Sequence, residues 1–161
     1  IAEFVRSSAG AFLSFLPAVV FLIAVGLSFS TGTSWGTFGI LIPIVTSVFS
    51  TELAAAAESG EIPQMVIVCI SACLAGAVCG DHCSPISDTT IMASTGAQCD
   101  HVNHVSTQLP YALTVASVCA VGYLISGFVQ NVFVVLGASL VLMVGVLFVI
   151  RALTNRKKKT L

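Results

Sequence analysis

Two carboxylates stand in a polar stretch of an otherwise apolar chain. The stretch is Gly80-Asp81-His82-Cys83-Ser84-Pro85-Ile86-Ser87-Asp88-Thr89-Thr90, and it follows the apolar run from Ile62 to Cys79. Charge placed there is costly in a bilayer and calls for a use. Asp81 and Asp88 offer formal negative charge. Ser84, Ser87, Thr89 and Thr90, with Thr33 and Ser34 from an earlier polar tract, offer neutral oxygens. Hard cations prefer such ligands, and Na⁺ is the membrane-transported ion that fits them best. A carboxylate withdrawn from water favours its protonated form, whereas a bound cation favours the ionised one. Na⁺ and H⁺ then compete for one site, which is the minimum chemistry of sodium/proton antiport. Ser87 and Asp88 follow Ser84 by three and four residues, so one helix would bring the three near a common face. His82 is either a proton relay or a hydrogen-bonding support for the stretch.

Plainer roles compete with these. A Ser or Thr in a membrane helix commonly bonds the carbonyl four residues back or joins two helices. Asp100, at an expected helix end, suits capping. His101 and His104 suit the interface, and Trp35 suits packing. Cys79, His82, Cys83, Cys99, His101 and His104 form an inventory of zinc-ligand types, but their spacings match no zinc motif. The oxygen-rich company argues for a hard ion and against structural zinc. Cys69, Cys73 and Cys119 lie in apolar runs, where cysteine acts as a small hydrophobe.

The elements that must position these groups follow from the hydropathy. Of 161 residues, 57% are hydrophobic and 8% charged, against ~25% charged in a soluble domain. No Asp, Glu, Lys or Arg occurs between Ser7 and Thr51 or between His101 and Ile150. The chain reads as one membrane domain over residues 1–161, an all-α integral membrane protein. Residues 11–49 form a re-entrant helical hairpin turning at Ser30 to Thr37, with one long interrupted helix as the competing reading. The apolar run Phe38 to Phe49 rises only ~18 Å, short of a comfortable span. Gly32 suits the residue after a helix, and Thr33 or Ser34 the N-cap of the next. Residues 50–61 are an acidic loop.

Residues 62–97 form one broken transmembrane helix. Its first half stops at Gly80, and its second starts with Ser84 as N-cap and Pro85 in the first turn. The break frees carbonyls near Val78 and Cys79 that can help hold a cation. Residues 99–104 connect to transmembrane helices at 105–129 and 132–150, and residues 151–161 are a basic tail. Basic residues beside a span favour the cytoplasm. The expected setting is therefore a multi-pass protein of the cell membrane with a cytoplasmic C-terminus. Its partners are the lipid bilayer, Na⁺ and H⁺. The net charge of −1 gives no basic field for nucleic acid, no enzyme activity or cofactor is expected, and self-association is left open.

The tract Ser30-Thr31-Gly32-Thr33-Ser34-Trp35-Gly36-Thr37 and the stretch Gly80 to Thr90 together resemble the NhaC family of Na⁺/H⁺ antiporters. The resemblance continues through Ser94-Thr95-Gly96-Ala97, Cys99-Asp100-His101, His104-Val105 and Thr107-Gln108-Leu109-Pro110-Tyr111-Ala112, and covers about Ala11 to Leu113. It implies a secondary transporter of the ion-transporter superfamily, built from two inverted repeats that each hold a re-entrant hairpin and a broken helix. This chain would supply the C-terminal repeat, with an N-terminal repeat of the same transporter as its partner. The family also contains exchangers that couple sodium and protons to malate and lactate, an alternative cargo. A membrane zinc enzyme and a non-transporting subunit are the remaining readings.

Overall fold

The computed structural model describes residues 2–158 and the side-chain surroundings of residues 12–155. The described residues form seven helices and no strand: α1 (Ala2–Thr31), α2 (Ser34–Val48), α3 (Ser50–Ser59), α4 (Gln64–Cys83), α5 (Asp88–Gly96), α6 (His101–Phe128) and α7 (Val132–Lys158). Four stretches are long and apolar enough to cross a bilayer: Phe12–Thr31, Gln64–Cys83, His101–Phe128 and Val132–Asn155. An all-helical membrane protein follows, because each helix satisfies its own backbone where water cannot.

The centre of the fold is the contact between α1 and α4. Phe21, Ala24, Cys69, Ala72, Cys73 and Ala77 are all buried there. Lipid tails are as apolar as leucine, so close packing rather than water exclusion joins such helices, and small residues permit it. Gly76 and Gly80 are the points of closest approach. A Cβ on Gly76 would collide with the Phe21 carbonyl oxygen, and one on Gly80 with that of Val25. Ser28 Oγ ties the seam by donating to the Ala77 carbonyl at 2.6 Å. From α6, Tyr123 stacks on Phe21 with ring centroids 5.2 Å apart. None of the apolar window of α7 is buried, so that helix presents itself to lipid or to further protein.

Three features differ from the sequence expectation. First, α4 does not stop at Gly80 but continues through Asp81 and His82 to Cys83. Gly80 is glycine because α1 passes over it, not because the helix ends. The helix ends where Pro85 withholds an N–H and forces Ser84 into an extended conformation, φ −73° and ψ 132°. Second, α5 begins at Asp88 with Ser87 at its N-cap position, not at Pro85 with Ser84 as cap. The Ser84 hydroxyl is committed elsewhere, donating to the Phe29 carbonyl of α1 at 2.7 Å. Third, the acidic loop contains the helix α3, bent 76° from α2. Four consecutive alanines (Ala54 to Ala57) favour helix. Glu52 lies in its first turn, where an anion suits the helix dipole, and Gly60 closes it at φ +77°.

Smaller differences lie at the ends. α6 starts at His101, inside the expected connector, because Asp100 caps it by accepting from the Asn103 N–H at 2.8 Å. α7 runs on to Lys158 through most of the basic tail; residues 159–161 lie outside the described residues. The chain does break between Thr31 and Ser34, where Gly32 takes φ +69° and Thr33 caps α2 by accepting from the Gly36 N–H. Beyond this turn α2 buries Thr37, Leu41 and Val45, in contact with α4.

Candidate ion-binding site

The two helix breaks meet. A Cβ on Gly32 would lie 2.9 Å from the Ile86 carbonyl oxygen, so the turn between α1 and α2 rests on the segment between α4 and α5. Asp81 lies beside this junction in the last turn of α4, only 7% exposed. Ser87 Oγ donates to its Oδ1 at 2.6 Å. Ser34, the first residue of α2, donates to its Oδ2 at 3.3 Å. Thr89 Oγ1 lies 3.4 Å from Oδ2 and 2.7 Å from Ser87 Oγ. Three hydroxyls from two breaks thus converge on one carboxylate.

The hydroxyls are shared in a definite way. Ser87 has one proton, and its 2.6 Å bond to Asp81 is the shortest in the cluster. While Ser87 donates there, Thr89 supplies the proton between the two hydroxyls, which makes a chain from Thr89 to Ser87 to Asp81. A protonated Asp81 can donate to Ser87 instead and reverse that chain. Each hydroxyl keeps lone pairs that a cation can use. The carbonyl end of α4 adds partial negative charge, which favours a cation beside Asp81. Asp81 forms no ion pair among the described residues, so no Lys or Arg neutralises it there.

The other expected site residues lie apart from this cluster. Thr33 caps α2 and does not reach Asp81. Ser84 is buried, with its proton committed to Phe29. Asp88 opens α5 exposed, with no side-chain hydrogen bond among the described residues. The His82 ring is also exposed. The carbonyls freed by the break are not those of Val78 and Cys79, because α4 continues past them. In the last turn the Asp81 carbonyl still accepts from the Ser84 N–H at 3.1 Å, and Thr90 Oγ1 lies 3.1 Å from the His82 oxygen and 3.4 Å from that of Asp81. Gln108 Nε2 donates to the His82 oxygen at 3.1 Å.

Gln108 and His101 reach the break from α6, a contact that sequence reasoning missed. His101 Nε2 lies 2.7 Å from the Pro85 carbonyl and Nδ1 lies 3.0 Å from Ser94 Oγ. The ring is half-buried, and both its nitrogens have partners within the fold. The polar run around His101 marked it as unusual, but nothing in the spacing pointed to a partner sixteen residues back. Gln108 gave no signal beyond being polar in an apolar span. The zinc-type residues are scattered: Cys83 Sγ donates to the Cys79 carbonyl and Cys99 Sγ to that of Ser94. Among the described residues, no three His, Cys, Asp or Glu side chains converge as a metal set.

Two helix breaks meet at a buried, hydroxyl-ringed carboxylate among apolar helices, an arrangement of the kind secondary transporters use. The chain belongs to the Na⁺/H⁺ antiporter family, whose model matches residues 1–128. Among its relatives, an uncharacterised protein of Haemophilus influenzae is 47% identical over 139 residues, covering 86% of this chain and 25% of the relative. The malate-2H⁺/Na⁺-lactate antiporter of Bacillus subtilis is 31% identical over 124 residues, 74% of this chain and 24% of that protein. An uncharacterised Na⁺/H⁺ antiporter of Haemophilus influenzae is 35% identical over 107 residues, 63% of this chain and 20% of the relative. The chain thus spans a quarter or less of the length of these relatives. No solved structure matches it.

Proposed function

We propose that this chain is the ion-binding part of a secondary transporter that exchanges Na⁺ for inward H⁺ across the cell membrane. The observation that carries the proposal is the convergence of Ser34, Ser87 and Thr89 on the buried Asp81. Na⁺ binds the ionised carboxylate with hydroxyl oxygens completing its shell. A proton arriving from the other side neutralises the carboxylate and releases the ion. The order follows from charge: one carboxylate cannot hold both cations well. Asp88 is the second carboxylate of the path, exposed on this chain at the N-terminus of α5, where the remainder of the transporter would cover it.

In this reading the chain is the C-terminal repeat of an NhaC-type antiporter, with its C-terminus in the cytoplasm. Its partner is an N-terminal repeat with its own hairpin and broken helix. Residues 11–49 act as the re-entrant hairpin, and alternating access moves both breaks against the rest of the bundle. The test is Na⁺-driven proton flux in everted vesicles holding the full-length protein. Asp81→Asn keeps the shape but cannot lose a proton, so flux should fall to background. Wild-type flux in that variant would refute the carboxylate mechanism.

A second reading keeps the fold and adds an organic anion as cargo. It is favoured by the name of one relative, the malate-2H⁺/Na⁺-lactate antiporter. Radiolabelled malate or lactate uptake separates the two. Proton flux that requires the anion selects the second reading, and flux with Na⁺ alone selects the first.

A further inference from the structure

We infer that His101 is a positioning residue for ion binding: its ring clamps the α4–α5 break to the start of α6 and so holds Ser87 and Thr89 against Asp81. The inference rests on the exchange reading above. α5 needs such a clamp because it contributes no apolar side chain to the core. Its only buried residues are Thr90 and Ser94, both polar, while Ile91 and Met92 are 44% and 64% exposed. Among the described residues it packs on α4 and α6 alone. Hydrogen bonds must therefore fix it.

His101 makes two of them, at opposite ends of the segment. The Pro85 carbonyl can only accept, so the Nε2 atom 2.7 Å away carries a proton and donates it. Pro85 lies before α5 and two residues from Ser87. In the neutral ring Nδ1 then accepts from Ser94 Oγ at 3.0 Å, taking the one proton that Ser94 could otherwise give the Ile91 carbonyl at 2.9 Å, and Ser94 is 2% exposed in the last turn of α5. One ring thus joins the segment before α5 to its last turn. Thr90, bonded to His82, is the third fastening. The residues placed on Asp81 lie between these points.

The test uses the full-length protein with His101→Ala and His101→Gln. Glutamine keeps an N–H for the Pro85 carbonyl but cannot carry a proton as histidine does, so it separates positioning from proton transfer. His101→Ala should raise the apparent KM for Na⁺ about threefold to tenfold, the range of a lost hydrogen bond, with a smaller change in maximal rate. His101→Gln should return KM to within about twofold of wild type on the same scale. An unchanged KM in the alanine variant overturns the inference, and so does an equal loss in both variants. Hydrogen–deuterium exchange over residues 84–97 should quicken in His101→Ala and recover in His101→Gln. Unaltered exchange in the alanine variant also overturns the clamp. If the wild-type protein drives no Na⁺-dependent flux, the exchange reading falls, and the deuterium measurement alone decides the clamp. Should His101→Ala fail to accumulate, Ser94→Ala removes one of the two bonds, and the same pair of readouts decides.

Discussion

The two helix breaks are built by opposite means. The break at Gly32 and Thr33 is local. Gly32 adopts a left-handed conformation, and Thr33 caps the next helix within three residues. The break from Ser84 to Ser87 is fastened from a distance. Ser84 bonds Phe29, fifty-five residues away; Gln108 reaches back twenty-six residues to His82; and His101 reaches back sixteen to Pro85. The local break can form with little help. The distant one takes its shape only when α1 and α6 are in place, and it is the one that supplies the carboxylate with Ser87 and Thr89. A loaded site that depends on three helices is sensitive to movement among them, which is what alternating access exploits.

Substitutions can sharpen or break this contrast. Gly80→Val should be the most damaging, because its side chain meets the Val25 backbone. A cost of about 3 kcal/mol, the upper range for overpacking, should appear as loss of thermal stability of the full-length protein in detergent. Tolerance would mean that Gly80 is a helix stop after all. Ser87→Ala removes a buried hydrogen bond to a carboxylate, worth about 1.5–3 kcal/mol. Apparent Na⁺ affinity should weaken about tenfold or more, measured as Na⁺-dependent flux; an unchanged affinity would detach the distant break from the site. Gly32→Ala must hold a left-handed backbone at about 1–2 kcal/mol and also crowds Ile86. It should lower both stability and Na⁺ affinity, since the two breaks touch there. Thr33→Ala should be mildest, at about 1 kcal/mol of stability for a lost cap, with Na⁺ affinity unchanged. A large fall in affinity would place Thr33 in the ion site.

The same contrast explains what could be read from the chain alone. The apolar spans, the turn at Gly32, the Thr33 cap and the Asp100 cap all follow from rules that act within a few residues, and they were legible. The meeting of Asp81 with Ser34 was legible only as a pairing of polar tracts. The second break lies later than the local signals indicate: the helix before it runs to Cys83 rather than Cys79, and the helix after it starts at Asp88 rather than Pro85. Gly80 reads as punctuation but serves packing, and Ser84 reads as a cap but bonds another helix. In both cases a tertiary partner overrode the local signal. The contacts of Thr90, His101 and Gln108 with the break are not legible for the same reason: their partners lie on other elements. α3 was missed because acidic residues suggested a loop, although the alanine run between them favours helix.

The proposed competition of Na⁺ and H⁺ for Asp81 can be measured by adding Na⁺ to the purified full-length protein in weakly buffered detergent solution and following the protons released. Na⁺ binds the ionised carboxylate, so binding to the protonated form must expel a proton, and apparent affinity must fall as the solution is acidified. The account predicts release approaching about one proton per bound Na⁺ where Asp81 is protonated beforehand, and none in Asp81→Asn. Undiminished proton release from the Asp81→Asn protein would contradict it.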